Sequence, residues 1–136
     1  MAPGGPPDTR ESRPGSAIFG PTWATLFAMA DDQIVDVTIT ADDAEWLAEF
    51  ARGLVADRLA ACGNIIPGVR SIFRWKDEID DEAEALLVLH TRASLVPRII
   101  ERADAEHPYD TPQVLALPVS AAHPGYLRWV LDETAH

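Results

Sequence analysis

The sequence predicts an α+β fold in which two split β-α-β halves share one antiparallel sheet and a further helix follows at the C-terminus. Three observations predict it. Ile34 to Thr40 alternates apolar and polar residues, the period of a half-buried strand. The centre of the chain, Leu59 to Glu84, leads into a long, bent β-hairpin. Two apolar stripes at helical spacing, one before this hairpin and one after it, supply helices to cover a sheet.

The chain in order begins with a stretch unlike the rest. Five of the eleven prolines and four of the eight glycines fall in residues 1–28. Such a composition buries too little apolar surface to offset chain entropy, so this stretch is expected to be a disordered N-terminal extension. Ala24 to Met29 is too short an apolar run, behind too proline-rich a lead, for a secretory signal. Met29-Ala30-Asp31-Asp32 reads as a natural start, which makes residues 1–28 an extension from start-site choice.

The folded domain is expected over residues 34–134. In the first strand Val35, Val37 and Ile39 face one side, and Asp36, Thr38 and Thr40 the other. Thr40 and Asp43 have the spacing of a capping box for a helix running to about Ala61. Leu47, Phe50, Ala51, Leu54 and Val55 form its stripe; Gly53 lies within it, where close packing against the sheet would explain a glycine. Gly63 and Asn64 read as the helix stop. A strand from Ile65 to Trp75 follows, with Pro67-Gly68 marking a bulge or bend. Lys76 to Glu82 reads as a polar, acidic tip, and Ala83 to Thr91 as the returning strand.

That returning strand is apolar on both sides: Leu86 and Val88 point one way, Leu87 and Leu89 the other. It must therefore be covered on both faces. Two helices cover one face of a four-stranded sheet, so the sequence itself argues that a partner subunit covers the second. Ser94 is placed to cap the next helix, with Pro97 in its first turn and Val96, Ile99, Ile100 and Ala103 as its stripe. His107-Pro108 ends it. A short strand from Gln113 to Leu117 and a last helix from about Gly125 to Glu133 complete the β-α-β-β-α-β order, the ferredoxin-like pattern.

Composition narrows the function classes. At 136 residues the chain holds one domain, and its net charge of -11 lies wholly in the folded part, because Asp8 and Glu11 cancel Arg10 and Arg13. Such a surface repels phosphate backbones, so no nucleic-acid partner is expected. No apolar run approaches the ~20 residues of a membrane span. The single cysteine, Cys62, rules out an intrachain disulfide and fits a reducing, cytoplasmic setting. There is no phosphate loop, CxxC, HExxH or nucleophile elbow, so an enzyme is not expected.

Three ordered blocks carry a resemblance. The first is Leu59-Ala60-Ala61-Cys62-Gly63-Asn64 followed by Ile66 to Lys76; the second is His107-Pro108-Tyr109-Asp110-Thr111-Pro112; the third is Tyr126-Leu127-Arg128-Trp129. Together they closely resemble the CutA family of divalent-cation tolerance proteins over about Ile34 to Thr134. The resemblance implies the ferredoxin-like fold, a tight homotrimer with joined sheet edges, and a role in copper or other divalent-cation tolerance. A rival reading is a trimeric signalling module, similar to PII proteins, that binds a small metabolite between subunits.

Among candidate site residues, His107 is the first for metal, since imidazole suits copper and zinc; equally it is placed to cap the preceding helix. Cys62 is the soft-ligand candidate, or a small buried apolar residue. Trp75, Lys76, Glu84 and Tyr109 match family positions lining a cleft between subunits, and read either as a ligand pocket or as an interface cluster. His90 departs from the lysine more often found there and reads as structural; His123 and His136 are assigned nothing. Asp77, Glu78, Asp80, Asp81 and Glu82 read as a solvated turn. Gln113 stands where the family commonly has Glu, and Thr38-Ile39-Thr40 where some members have a cysteine. Both departures point to weak metal binding, nearer micromolar than nanomolar, roughly -8 kcal/mol.

Overall fold

The computed structural model describes residues 33–135; the expectations for residues 1–28 lie outside them. The elements are β1 (Ile34–Ala41), α1 (Ala44–Ala56), β2 (Cys62–Trp75), β3 (Glu78–Arg92), a 3-10 turn (Ala93–Leu95), α2 (Val96–Glu106), β4 (Val114–Pro118) and α3 (Pro124–Glu133). All four strands form one antiparallel sheet in the order β2-β3-β1-β4. This is the expected ferredoxin-like arrangement with its added C-terminal helix.

The alternation in β1 sorts the core. Val35, Val37 and Ile39 are fully buried with Leu87 and Leu89 of β3, beneath Leu47, Phe50 and Leu54 of α1 and Ile99 and Ala103 of α2. Fully burying each such large side chain contributes about 1.5–3 kcal/mol. The opposite face is covered differently. At one end α3 packs Val130 with Ile34 and Ala61, against Cys62, Leu127 and Leu131. Beyond that end Leu86 and Val88 are half-buried, and Leu115 and Leu117 are 56% and 47% exposed. Among the described residues nothing covers them.

Several boundaries differ from those read in the sequence. Helix α1 begins under the carboxylate of Asp43, which accepts from the Glu45 N–H; Thr40 belongs to β1 and plays no part in the cap. It ends at Ala56, five residues early. Arg58 enters the left-handed region (φ 62°), Arg58 N–H donates to Val55 C=O, and Leu59 N–H donates to Leu54 C=O. This is the paired bonding of a Schellman cap, built on arginine rather than glycine. Cys62, Gly63 and Asn64 are therefore strand residues. Gly63 has a packing role: a Cβ there would lie 3.1 Å from Leu87 Cδ1 and 3.4 Å from Ala51 Cβ, where helix and sheet meet closely. The close neighbour of Gly53 is Arg102 Nη2 on α2, not the sheet. Ser94 sits inside the 3-10 turn and caps nothing.

The hairpin is longer and its turn tighter than expected. Pro67-Gly68 does form a bulge, with the register shifting between Ile66 and Val69 and Gly68 at φ 76°. Trp75 pairs directly with Glu78, so Lys76-Asp77 alone make the turn, both at positive φ (51° and 66°), the pattern of a type I′ turn. Glu78 to Glu82 are strand residues, not a loop. β1 pairs with β3 only from Ala85 to Arg92, whereas β2 stays paired with β3 to the tip. Seven residues of β3, Glu78 to Glu84, thus run past β1 as a two-stranded arm, about 23 Å long.

Candidate functional site

The family-like residues gather in three places. The first is a buried corner where α2 returns to the sheet. His107 is the C-cap of α2, its backbone N–H donating to Ala103 C=O. Its ring is pinned at both nitrogens: Nε2 lies 2.8 Å from Thr40 C=O, and Nδ1 accepts from the Tyr109 N–H at 3.0 Å. The only pattern that satisfies both is a neutral ring with its proton on Nε2. Trp46 meets this ring edge-on at 4.9 Å and stacks on Phe50. Burial holds the imidazole below its ordinary pKa, opposed by the bond to Thr40 and by the Asp42 and Glu84 carboxylates.

Tyr109 follows and is itself buried. Its hydroxyl donates to Glu84 Oε2 at 2.6 Å. Burial, with the bond to that carboxylate next, pushes the phenol well above the usual tyrosine range. The Thr40 hydroxyl in the same corner is buried without a hydrogen-bond partner.

The second place is the arm tip. Lys76 Nζ lies 5.8 Å from the Trp75 ring centre. Glu78, opposite Trp75, is six residues from Glu84 along β3, about 20 Å. Trp75 and Lys76 therefore cannot share a cleft with Glu84 and Tyr109 inside one chain. Two grooves among the described residues lie elsewhere. One of about 450 Å³ is lined by Asp57, Leu59, Arg98, Glu101 and Arg102. Another of about 430 Å³ lies at the bulge, lined by Gly68 to Arg70 and Asp81 to Ala83. At the bulge Arg70 makes a two-pronged pair with Asp81, 2.9 and 2.7 Å, which holds the Asp81 carboxyl below its ordinary range.

The third place joins Cys62 and His90, each considered separately in the sequence, to Asp36, which was not singled out. Cys62 of β2, His90 of β3 and Asp36 of β1 stand in one row across the sheet. His90 Nδ1 is 2.7 Å from Asp36 Oδ1, and Nε2 is 2.9 Å from Asn64 Oδ1. Tyr126 of α3 meets the His90 ring edge-on at 6.0 Å and packs beside Trp129. The signal available was weak: Asp36 falls on the polar side of β1, but nothing in one sequence states which residues lie opposite it. His123, assigned nothing, caps α3, its Nδ1 accepting from the Gly125 N–H at 3.0 Å.

The two metal candidates lie apart. Cys62 pairs with His90, whereas Thr40, which holds His107, pairs with Leu86, four residues along β3 and about 13 Å away. No group of three His, Cys, Asp or Glu side chains is placed to hold one ion among the described residues. Of the helices described, none is long and apolar enough to cross a membrane.

Comparison with known proteins gives one consistent result. The family model of the CutA1 divalent ion tolerance protein matches residues 35–133. The divalent-cation tolerance protein CutA of Thermus thermophilus is 41% identical over 98 residues, covering 72% of this chain and 95% of that one. Protein CutA of Mus musculus is 36% identical over 134 residues, covering 98% of this chain and 70% of that one. A solved structure of the divalent cation tolerance protein from Thermus thermophilus superposes with a TM-score of 0.73 at 39% identity, covering 75% of this chain and 99% of that one.

Proposed function

The chain belongs to the CutA1 divalent ion tolerance family, and from that premise we propose that it acts in the cytoplasm as a non-enzymatic homotrimer that binds copper or another divalent cation weakly. The family match over residues 35–133 carries this reading. The geometry supports the assembly. Among the described residues, the half-buried Leu86 and Val88 and the exposed Leu115 and Leu117 form an apolar face without cover, and both outer strands, β2 and β4, have one edge unpaired. In the proposed trimer a partner subunit would bring a second arm, whose Trp75 and Lys76 would then be free to approach Glu84 and Tyr109. The lone cysteine fits a reducing compartment.

His107 contributes to metal binding only by surrendering one of two buried hydrogen bonds. That cost accords with weak affinity. Light scattering combined with calorimetric titration of copper(II) tests the reading. A trimer at micromolar concentration that takes up copper supports it. A stable folded monomer, or a trimer indifferent to divalent ions, overturns it.

A further inference from the structure

We infer that Cys62 and His90 together form a two-coordinate site for a soft monovalent ion, copper(I), with Asp36 as the positioning residue. This deepens the proposed function and rests on it, in that the protein is taken to meet copper. The observation is the row itself: the register sets Cys62 directly across from His90, and His90 directly across from Asp36, on the face away from α1 and α2.

The chemistry follows from the hydrogen bonds. The Asp36 carboxylate, 2.7 Å from Nδ1, holds the proton on that nitrogen and fixes the plane of the ring. A carboxylate behind an imidazole in this way is the usual outer-shell support of a metal-ligating histidine. Nε2 then presents its lone pair towards β2, where it meets the Asn64 side chain at 2.9 Å. The atom placed there is Asn64 Oδ1; with the ring neutral and its proton on Nδ1, Nε2 accepts, and the Asn64 amide turns end for end to present its nitrogen. The free thiol of Cys62 stands on the same strand two residues away, half-buried. Tyr126 closes the other side, its ring against His90 and its phenol beside the Cys62 thiol.

The number of ligands decides the ion. With no third His, Cys, Asp or Glu placed to share the ion among the described residues, tetrahedral zinc and octahedral magnesium lack donors. Copper(I) accepts one thiolate and one imidazole in near-linear coordination, and thiolate selects it over harder ions. On binding, the Cys62 S–H proton leaves to solvent, and S–Cu and N–Cu bonds form. The Asn64 contact to Nε2 is released, and no electron is transferred. Thiolate and copper(I) cancel in charge, so a neutral unit occupies a partly desolvated place. In the single chain the His90 and Asp36 side chains keep 20% and 35% exposure.

The test is copper(I) titration of the whole protein against a colorimetric copper(I) chelator under reducing, anaerobic conditions. The second readout is the ultraviolet thiolate-to-copper band. We expect one copper(I) per chain, no band in Cys62→Ser, and affinity weakened at least tenfold in His90→Gln. Asp36→Asn is expected to weaken it about tenfold, as outer-shell changes do. His123→Ala, a change at a helix cap, is expected to bind as wild type. Circular dichroism verifies the fold of each variant, with His90→Lys as a second replacement should His90→Gln unfold. Wild-type affinity in both folded His90 variants would overturn the inference. So would loss of uptake in His107→Gln with none in His90→Gln, which leaves the family reading standing. A wild type that takes up neither copper(I) nor copper(II) removes both.

Discussion

The Tyr109 hydroxyl and the Glu84 carboxylate are hydrogen-bonded at 2.6 Å, 25 residues apart in sequence and both buried. One arrives from the segment after α2 and the other from the base of the arm, so their contact fastens the helical layer to the hairpin.

Removing the donor leaves a buried carboxylate short of a partner. Tyr109→Phe is expected to cost about 1.5–3 kcal/mol, the range for hydrogen bonds to charged groups. Urea unfolding at fixed protein concentration measures it. Glu84→Gln in the same background should recover part of the loss. The phenol also sets an alkaline limit. Its folded pKa is raised, so this contribution is complete below the unfolded tyrosine value near ~10 and declines as pH rises beyond it. In Tyr109→Phe that alkaline decline should be shallower.

His107 works at the other end of the pH scale. Burial lowers its folded pKa, so the unfolded chain takes up a proton first as pH falls. Its contribution is present above the unfolded histidine value near ~6.5 and is lost on acidification below it. The acid-side loss of stability should be smaller in His107→Gln, which cannot titrate, although that variant starts less stable by about 1–3 kcal/mol. Unchanged pH dependence between ~6.5 and ~4.5 would show that other groups govern the acid limb.

Adjacent residues on β3 separate folding from assembly. Leu87 is fully buried beneath the helices, while Val88 belongs to the uncovered face. Leu87→Lys buries a charge without a partner and should prevent folding, at a cost of several kcal/mol. Val88→Lys should leave each chain folded and disperse the proposed trimer into monomers. Sedimentation velocity decides this, and a Val88→Lys protein that sediments as wild type would show that the face is not an interface.

The arm turn carries removable strain. Lys76 and Asp77 both hold positive φ without being glycine. A left-handed L-residue costs roughly 1–2 kcal/mol, and the Lys76–Trp75 cation–π contact returns only about 0.5–1 kcal/mol. Replacing the pair by Asn-Gly, the preferred type I′ sequence, is expected to raise stability by about 1 kcal/mol. Thermal denaturation at matched concentration measures it.

Much of this was legible because it depends on local periodicity. Val35, Val37 and Ile39 announce a buried face by alternation alone, and Pro67-Gly68 announces the bulge because those residues disfavour a flat strand. The misreadings arose where one residue type serves two purposes. Gly63 looks like a helix stop but provides clearance for Leu87, while Arg58, a good helix former, ends the helix in a left-handed conformation. Glu78 to Glu82 look like a loop because acidic residues favour solvent, and an exposed arm strand satisfies the same preference. The His90 row depends on strand register, which no short stretch of sequence encodes. His107 was legible as a residue of consequence, but the partners that occupy its ring come from the other half of the fold.

The arm that runs past β1 has a kinetic consequence. Two strands alone are marginally stable in water, so its amides should exchange with deuterium through local opening, far faster than those of β1 and the core end of β3. Any neighbour that pairs with β2 slows that exchange without altering the core. The Val69 to Trp75 amides thereby become an internal clock for assembly, readable by mass spectrometry separately from the unfolding of the domain.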